Sequence, residues 1–148
     1  MEQTLVQQNM QWQGRPFKGL IGRKIMRNLL KKQSLPHVQI ITGVRRCGKS
    51  TVFKLLINEL MASGVAPKSI LTINMDAPVF IQYWDNAEQI RQIIETAERL
   101  TGVKVRYLFL DEIQQVKDWE VFVKAAYDAQ IFDKIYVTGS NSNLLQNR

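Results

Sequence analysis

Two residue types are nearly missing from the 148 residues: cysteine occurs once, as Cys47, and histidine once, as His37. A lone cysteine cannot close an internal disulfide, so the fold must rest on its core; that suits a reducing compartment. With one histidine there is no Ser/His/Asp set, and no Cys/His pair has zinc spacing. His37 precedes an apolar run and reads as a surface residue. No apolar stretch approaches the roughly 20 residues of a membrane helix. The start, MEQTLVQQNMQWQGRPF, lacks the basic and apolar segments of a signal peptide. The expectation is a soluble, cytoplasmic chain with no membrane contact.

Acidic residues are scarce at one end. Residues 1–54 hold 11 Lys and Arg against the single acid Glu2, whereas residues 55–148 hold 9 against 12. A basic half suits a polyanion, either nucleic acid or the phosphates of a nucleotide. The basic stretch GRKIMRNLLKK (22–32) keeps Ile25, Met26, Leu29 and Leu30 at helical spacing, the pattern of an ordinary surface helix. No aromatics alternate there to stack bases, so nucleic acid is a weakly supported partner.

Length and composition fit one domain able to bury a core. Residues 1–17 are Gln-rich and aperiodic, which predicts a loose, flexible arm; residues 18–148 form the folded part. A helix is expected over 18–33, ending before Pro36. Short β-branched runs predict strands at 37–42, 69–74, 105–110 and 134–138. Amphipathic stripes predict helices over 49–64, 86–100 and 119–129, with Gly64 and Asp118 as caps. Alternation of this kind implies an α/β fold with a mostly parallel sheet covered on both faces. Ligands in such folds sit beyond the carboxyl ends of the strands.

Three motifs fall there. GVRRCGKST, residues 43–51, fits the phosphate-loop spacing G-x-x-x-x-G-K-[ST]. Gly43 and Gly48 let the backbone N–H groups of Val44, Arg45, Arg46 and Cys47 turn inward around phosphate. Lys49 supplies a mobile cation for the outer phosphates, the Ser50 hydroxyl suits Mg²⁺, and Ser50 and Thr51 lie in the opening turn of a helix whose positive end faces the anion. Asp111 and Glu112 end an apolar strand in YLFLDEIQ. A carboxylate there is costly without a role; Asp111 suits the Mg²⁺ shell, and Glu112 suits activation of an attacking water. Ser140 and Asn141, in YVTGSNSN, follow the last strand and are placed to sense the γ-phosphate or the lytic water. Asp76, in MDAPVFIQYWD, belongs to a loop expected to pack Phe80 and Trp84.

ITGVRRCGKST, LFLDEIQ with a following Trp, and VTGSNSNLL together resemble the prokaryotic AAA-type ATPases, over about residues 18–148. The resemblance implies a P-loop NTPase of three α/β/α layers with sheet order 5-1-4-3-2. It implies ATP and Mg²⁺ as cofactors, with Lys49 and Ser50 on phosphate and metal. Asp111 is then on the metal, Glu112 on the water, and Ser140–Asn141 serve as sensor. It also implies that the chain, ending at Arg148, stops short of a fifth strand, of basic residues near the γ-phosphate and of a C-terminal domain. The strand at 38–42 would then be a bare edge, and self-association through it is expected. Four functions stand: Mg²⁺-dependent ATP hydrolysis driving a conformational change; a switch or fragment that binds ATP without hydrolysing it; nucleic-acid binding; and a small-molecule kinase, for which no lid-like Arg cluster is present. No Asn-Lys-x-Asp guanine reader occurs. The protein partner is unnamed by the sequence.

Overall fold

The computed structural model describes residues 1–19, 38–42 and 49–139. Four short apolar runs form the strands β1 (Val38–Thr42), β2 (Ile70–Asn74), β3 (Tyr107–Asp111) and β4 (Lys134–Gly139). All three pairings are parallel, and the order is β1-β4-β3-β2. That is the order the resemblance implies for the first four strands; a fifth is not among the described residues.

Alternation along each strand divides the side chains between two cores. Leu71, Ile73, Leu108, Leu110, Ile135 and Val137 join one core. Ile41, Ile70, Phe109 and Tyr136 join the other. The first core takes the helices α3 (Ile90–Thr101) and α4 (Trp119–Asp128), through residues such as Ile90, Ile93, Ala97, Phe122 and Ala126. The second takes α2 (Lys49–Ala62), through Val52, Phe53, Leu56 and Ile57. The sheet is therefore the middle of three α/β/α layers. On the α2 face Phe109 is clasped between two rings. Phe53 meets it edge-on at 5.0 Å, and Tyr136 stacks on it at 4.2 Å with 10° between planes.

Helix α2 ends as its sequence predicts. Gly64 takes φ +100°, its N–H bonds Met61 O, and the Val65 N–H bonds Leu60 O. This paired closure needs a left-handed residue, which glycine adopts without a Cβ penalty. The start of α4 departs from expectation. Asp118 holds the N-cap position but is left-handed at φ 59°, and its side chain makes no capping bond. Capping side chains act from extended backbone; here the Asp118 carbonyl accepts from Val121 N–H instead, at 3.1 Å.

The larger correction concerns residues 1–17. The expected loose arm contains a helix, α1 (Glu2–Gln8), followed by a 3-10 turn, Met10–Gln13. Leu5 is fully buried against the first core, and Met1 and Trp12 pack on it. Burying Leu5 contributes roughly 1.5–3 kcal/mol. The polar residues that suggested disorder bond the outer edge of β2. Asn9 brackets Thr72: its Oδ1 accepts from Thr72 N–H at 2.7 Å and its Nδ2 donates to Thr72 O at 2.9 Å. Gln8 Oε1 accepts from Asn74 N–H at 3.0 Å. Gln11 Nε2 and Trp12 Nε1 both donate to Ile70 O, at 3.0 and 2.8 Å. Side chains thus stand in for the strand that β2 lacks on that side. Beyond this strap, Phe17 exchanges two hydrogen bonds with the Asn58 side chain on α2. Residues 20–33 of the expected helix lie outside the described residues.

Candidate functional site

Parallel strands bring all their carboxyl ends to one edge of the sheet. Asn74, Asp111 and Gly139 end there. α2 begins at Lys49, seven residues after β1 ends at Thr42, so Lys49, Ser50 and Thr51 form its first turn at that edge. Residues 43–48 of the phosphate loop, with Ser140 and Asn141, lie outside the described residues.

Asp111 is tied down from both sides. Its carbonyl accepts from Met75 N–H at 2.9 Å, next to its register partner Asn74 on β2. Its carboxylate accepts a hydrogen bond from the Thr138 hydroxyl on β4. By the alternation of β3 and β4, Asp111 and Thr138 share the sheet face of Phe109 and Tyr136, which is the face α2 covers. Asp111 is only 7% exposed.

Glu112, also 7% exposed, turns the chain sharply, with φ 55° and ψ 44°. A left-handed non-glycine residue is strained and persists only where its surroundings hold it. Here the holder is Thr138 again: its hydroxyl oxygen accepts from Glu112 N–H at 3.2 Å while the same hydroxyl donates to Asp111. One fully buried threonine therefore fixes both acids. The 3-10 turn Ile113–Gln115 follows, and Gln115 Nε2 donates to Asp76 Oδ1 at 2.8 Å. Lys117 N–H donates to Trp84 O at 2.7 Å. The loop after β3 is thus laced to the loop after β2. Phe80 is buried in that second loop and Trp84 packs on the core, as expected. Asp76 nevertheless reaches the acidic pair's turn through Gln115.

Sequence reasoning missed Thr138 and Gln115. The signal for Thr138 was its place as the polar residue in the otherwise apolar run IYVT, two positions before Ser140. Gln115 carries no local signal, because its partner is 39 residues away.

Among the described residues no helix is long and apolar enough to cross a membrane. An uncharacterized protein of Haemophilus influenzae is 32% identical over 129 residues, 86% of this chain and 32% of its own length. The uncharacterized protein MJ1544 of Methanocaldococcus jannaschii is 28% identical over 123 residues, 82% of this chain and 25% of its own. The chain thus spans about a third and a quarter of these relatives. Among solved structures, that of C. elegans PCH-2 is similar at a TM-score of 0.43 and 14% identity, over 97% of this chain and 38% of that one. The AAA domain family, nucleotide-binding and ATPase-like, matches residues 36–148. The sheet order, the buried acids at the end of β3 and this match over most of its length agree: the chain belongs to the AAA domain family.

Proposed function

We propose that this domain binds ATP with Mg²⁺ and hydrolyses it, coupling turnover to a conformational change. The observation that carries the reading is the Asp111–Glu112 pair, buried at the carboxyl end of β3 and held by Thr138 on the face where α2 begins. Burying the Asp111 carboxylate so far from water is costly unless a positive charge joins it. A hard divalent cation with oxygen ligands fits that donor. In this reading Asp111 and the Ser50 hydroxyl hold Mg²⁺, which when bound offsets charge on the phosphates. Residues 43–48, Lys49 and Thr51 bind the phosphates. Glu112 orients a water and takes its proton; Ser140 and Asn141 respond to the γ-phosphate. A cytoplasmic location and adenine as the base belong to the same reading.

A second reading is a switch that binds ATP with negligible turnover. The chain spans about a third of one relative's length and a quarter of the other's, and a segment outside it could complete the site. In related chemistry an arginine near the γ-phosphate is worth ~10³–10⁵ in rate. Self-association through β1, which ends the described sheet, is part of the proposal, and a monomeric mass by light scattering counts against it. Nucleic-acid binding would show as a steep salt dependence.

Phosphate release from Mg-ATP, measured beside nucleotide binding by calorimetry, decides between the readings. Hydrolysis predicts turnover that Glu112→Gln abolishes while binding stays. Binding without turnover selects the switch. No binding refutes both.

A further inference from the structure

Residues along a strand turn their N–H and C=O groups alternately to one edge and the other. In β2, Met75 N–H bonds β3 through Asp111 O, so Leu71 and Ile73 face β3, while Ile70, Thr72 and Asn74 face outward. Those outward groups are the ones that Gln8, Asn9, Gln11 and Trp12 bond. The covering segment keeps its own backbone bonds internal: Leu5 N–H to Met1 O, Asn9 N–H to Val6 O, Trp12 N–H to Asn9 O. It can lift as a unit without breaking its own turns.

Two further observations bear on how firmly it sits. Among the described residues Gln11 Oε1 and Thr72 Oγ1 are buried and lack a hydrogen-bond partner; Gln11 Oε1, on the segment itself, regains water when the segment lifts, which offsets part of what docking gains. The segment also precedes residue 36, where the family match begins.

We propose that residues 1–13 are a releasable guard on the β2 edge, and that the uncovered edge pairs with the β2 edge of a second copy. β2 reads Ile-Leu-Thr-Ile-Asn and carries no charge, so two copies related by a two-fold axis pair antiparallel without like charges in apposition. The guard is independent of ATP hydrolysis and stands or falls separately from it.

The test is residue-resolved amide hydrogen exchange on this chain, with light scattering. In the unaltered chain Thr72 and Asn74 exchange at least about tenfold faster than Leu71 and Ile73, the mark of opening below global unfolding. Asn9→Ala speeds Thr72 and Asn74 further and leaves Leu71 and Ile73 unchanged. At higher concentration its mass rises toward two chains, and exchange at Thr72 and Asn74 slows again. That renewed protection separates pairing at β2 from pairing at β1. Equal exchange at all four amides of the unaltered chain would show a fixed part of the core and overturn release. A folded Asn9→Ala that keeps the unaltered chain's mass at every concentration would overturn pairing. If Asn9→Ala does not fold, the milder Gln8→Ala, which removes the Asn74 bonds, replaces it with the same expected and refuting outcomes.

Discussion

Replacing Thr138 by valine keeps the shape of the side chain and removes one hydroxyl. That hydroxyl donates to the Asp111 carboxylate and accepts from Glu112 N–H, and the residue is fully buried. Water has no ready route to replace it. A hydrogen bond to a charged group contributes roughly 1.5–3 kcal/mol, and a stranded buried donor costs ~1–3 kcal/mol. The two overlap, because one relaxation of the Glu112 turn relieves both. The loss expected for Thr138→Val is therefore about 3 kcal/mol. For a domain of this size about 2–4 °C is lost per kcal/mol, so melting should fall by roughly 6–12 °C. Thr138→Ser is the control. It keeps the hydroxyl and loses one methyl, which costs about 1 kcal/mol. Circular dichroism melts of both variants, with phosphate release beside them, make the assay. If hydrolysis is the function, the valine variant should also lose tenfold or more in turnover, since ~1.4 kcal/mol of lost transition-state stabilisation suffices for that. Melting of the valine variant at or above the serine variant would refute the claim that this hydroxyl holds the acidic pair.

The other predictions concern the core on that same face of the sheet and the end of α2. Burial first, then the charges of Tyr107 and Glu59, push the Tyr136 phenol above its ordinary value. The folded chain therefore keeps a proton that the unfolded chain gives up, so stability is unaffected below about pH 10 and falls as pH rises beyond it. Urea titrations from neutral to alkaline pH should show that slope, and Tyr136→Phe should flatten it. Phe109→Ala opens the clasp formed by Phe53 and Tyr136 and should cost about 3–5 kcal/mol in urea unfolding. Gly64→Ala meets open space but keeps φ +100°, so only backbone strain is charged, about 1–2 kcal/mol by thermal melting.

The strands were legible because each is a β-branched run bounded by polar residues, and the parallel arrangement followed from alternation with helices. Asp111 and Glu112 were legible because ionisable residues rarely end an apolar run without reason. The strap was not. Its signal is long-range: Gln8 and Asn9 bond residues 63 to 66 positions away, and side-chain amides seeking a strand edge leave no hydrophobic period. Leu5, Asn9 and Trp12 do recur at helical spacing, which in retrospect marks the docked face. Thr138 was hidden because a threonine at the end of a strand satisfies β-propensity whether or not its hydroxyl works. Asp118 misled because residue type favours a cap, while the left-handed turn before α4 sets a backbone from which its side chain makes no capping bond.

The division of the core by the sheet has an optical consequence. Trp12, Trp84 and Trp119 are all the tryptophans the chain has, and all three belong to the α3–α4 side. The side packed under α2 has none. Intrinsic tryptophan fluorescence therefore follows one core and is blind to the other, where only tyrosine emits. An emission change on adding nucleotide would report a shift of the α3–α4 side or of the Trp84 loop, which Lys117 N–H ties to the turn after β3, rather than contact at the first turn of α2. Phe53→Trp would place a reporter on the dark side, next to Phe109, and let the two cores be watched separately as the protein unfolds.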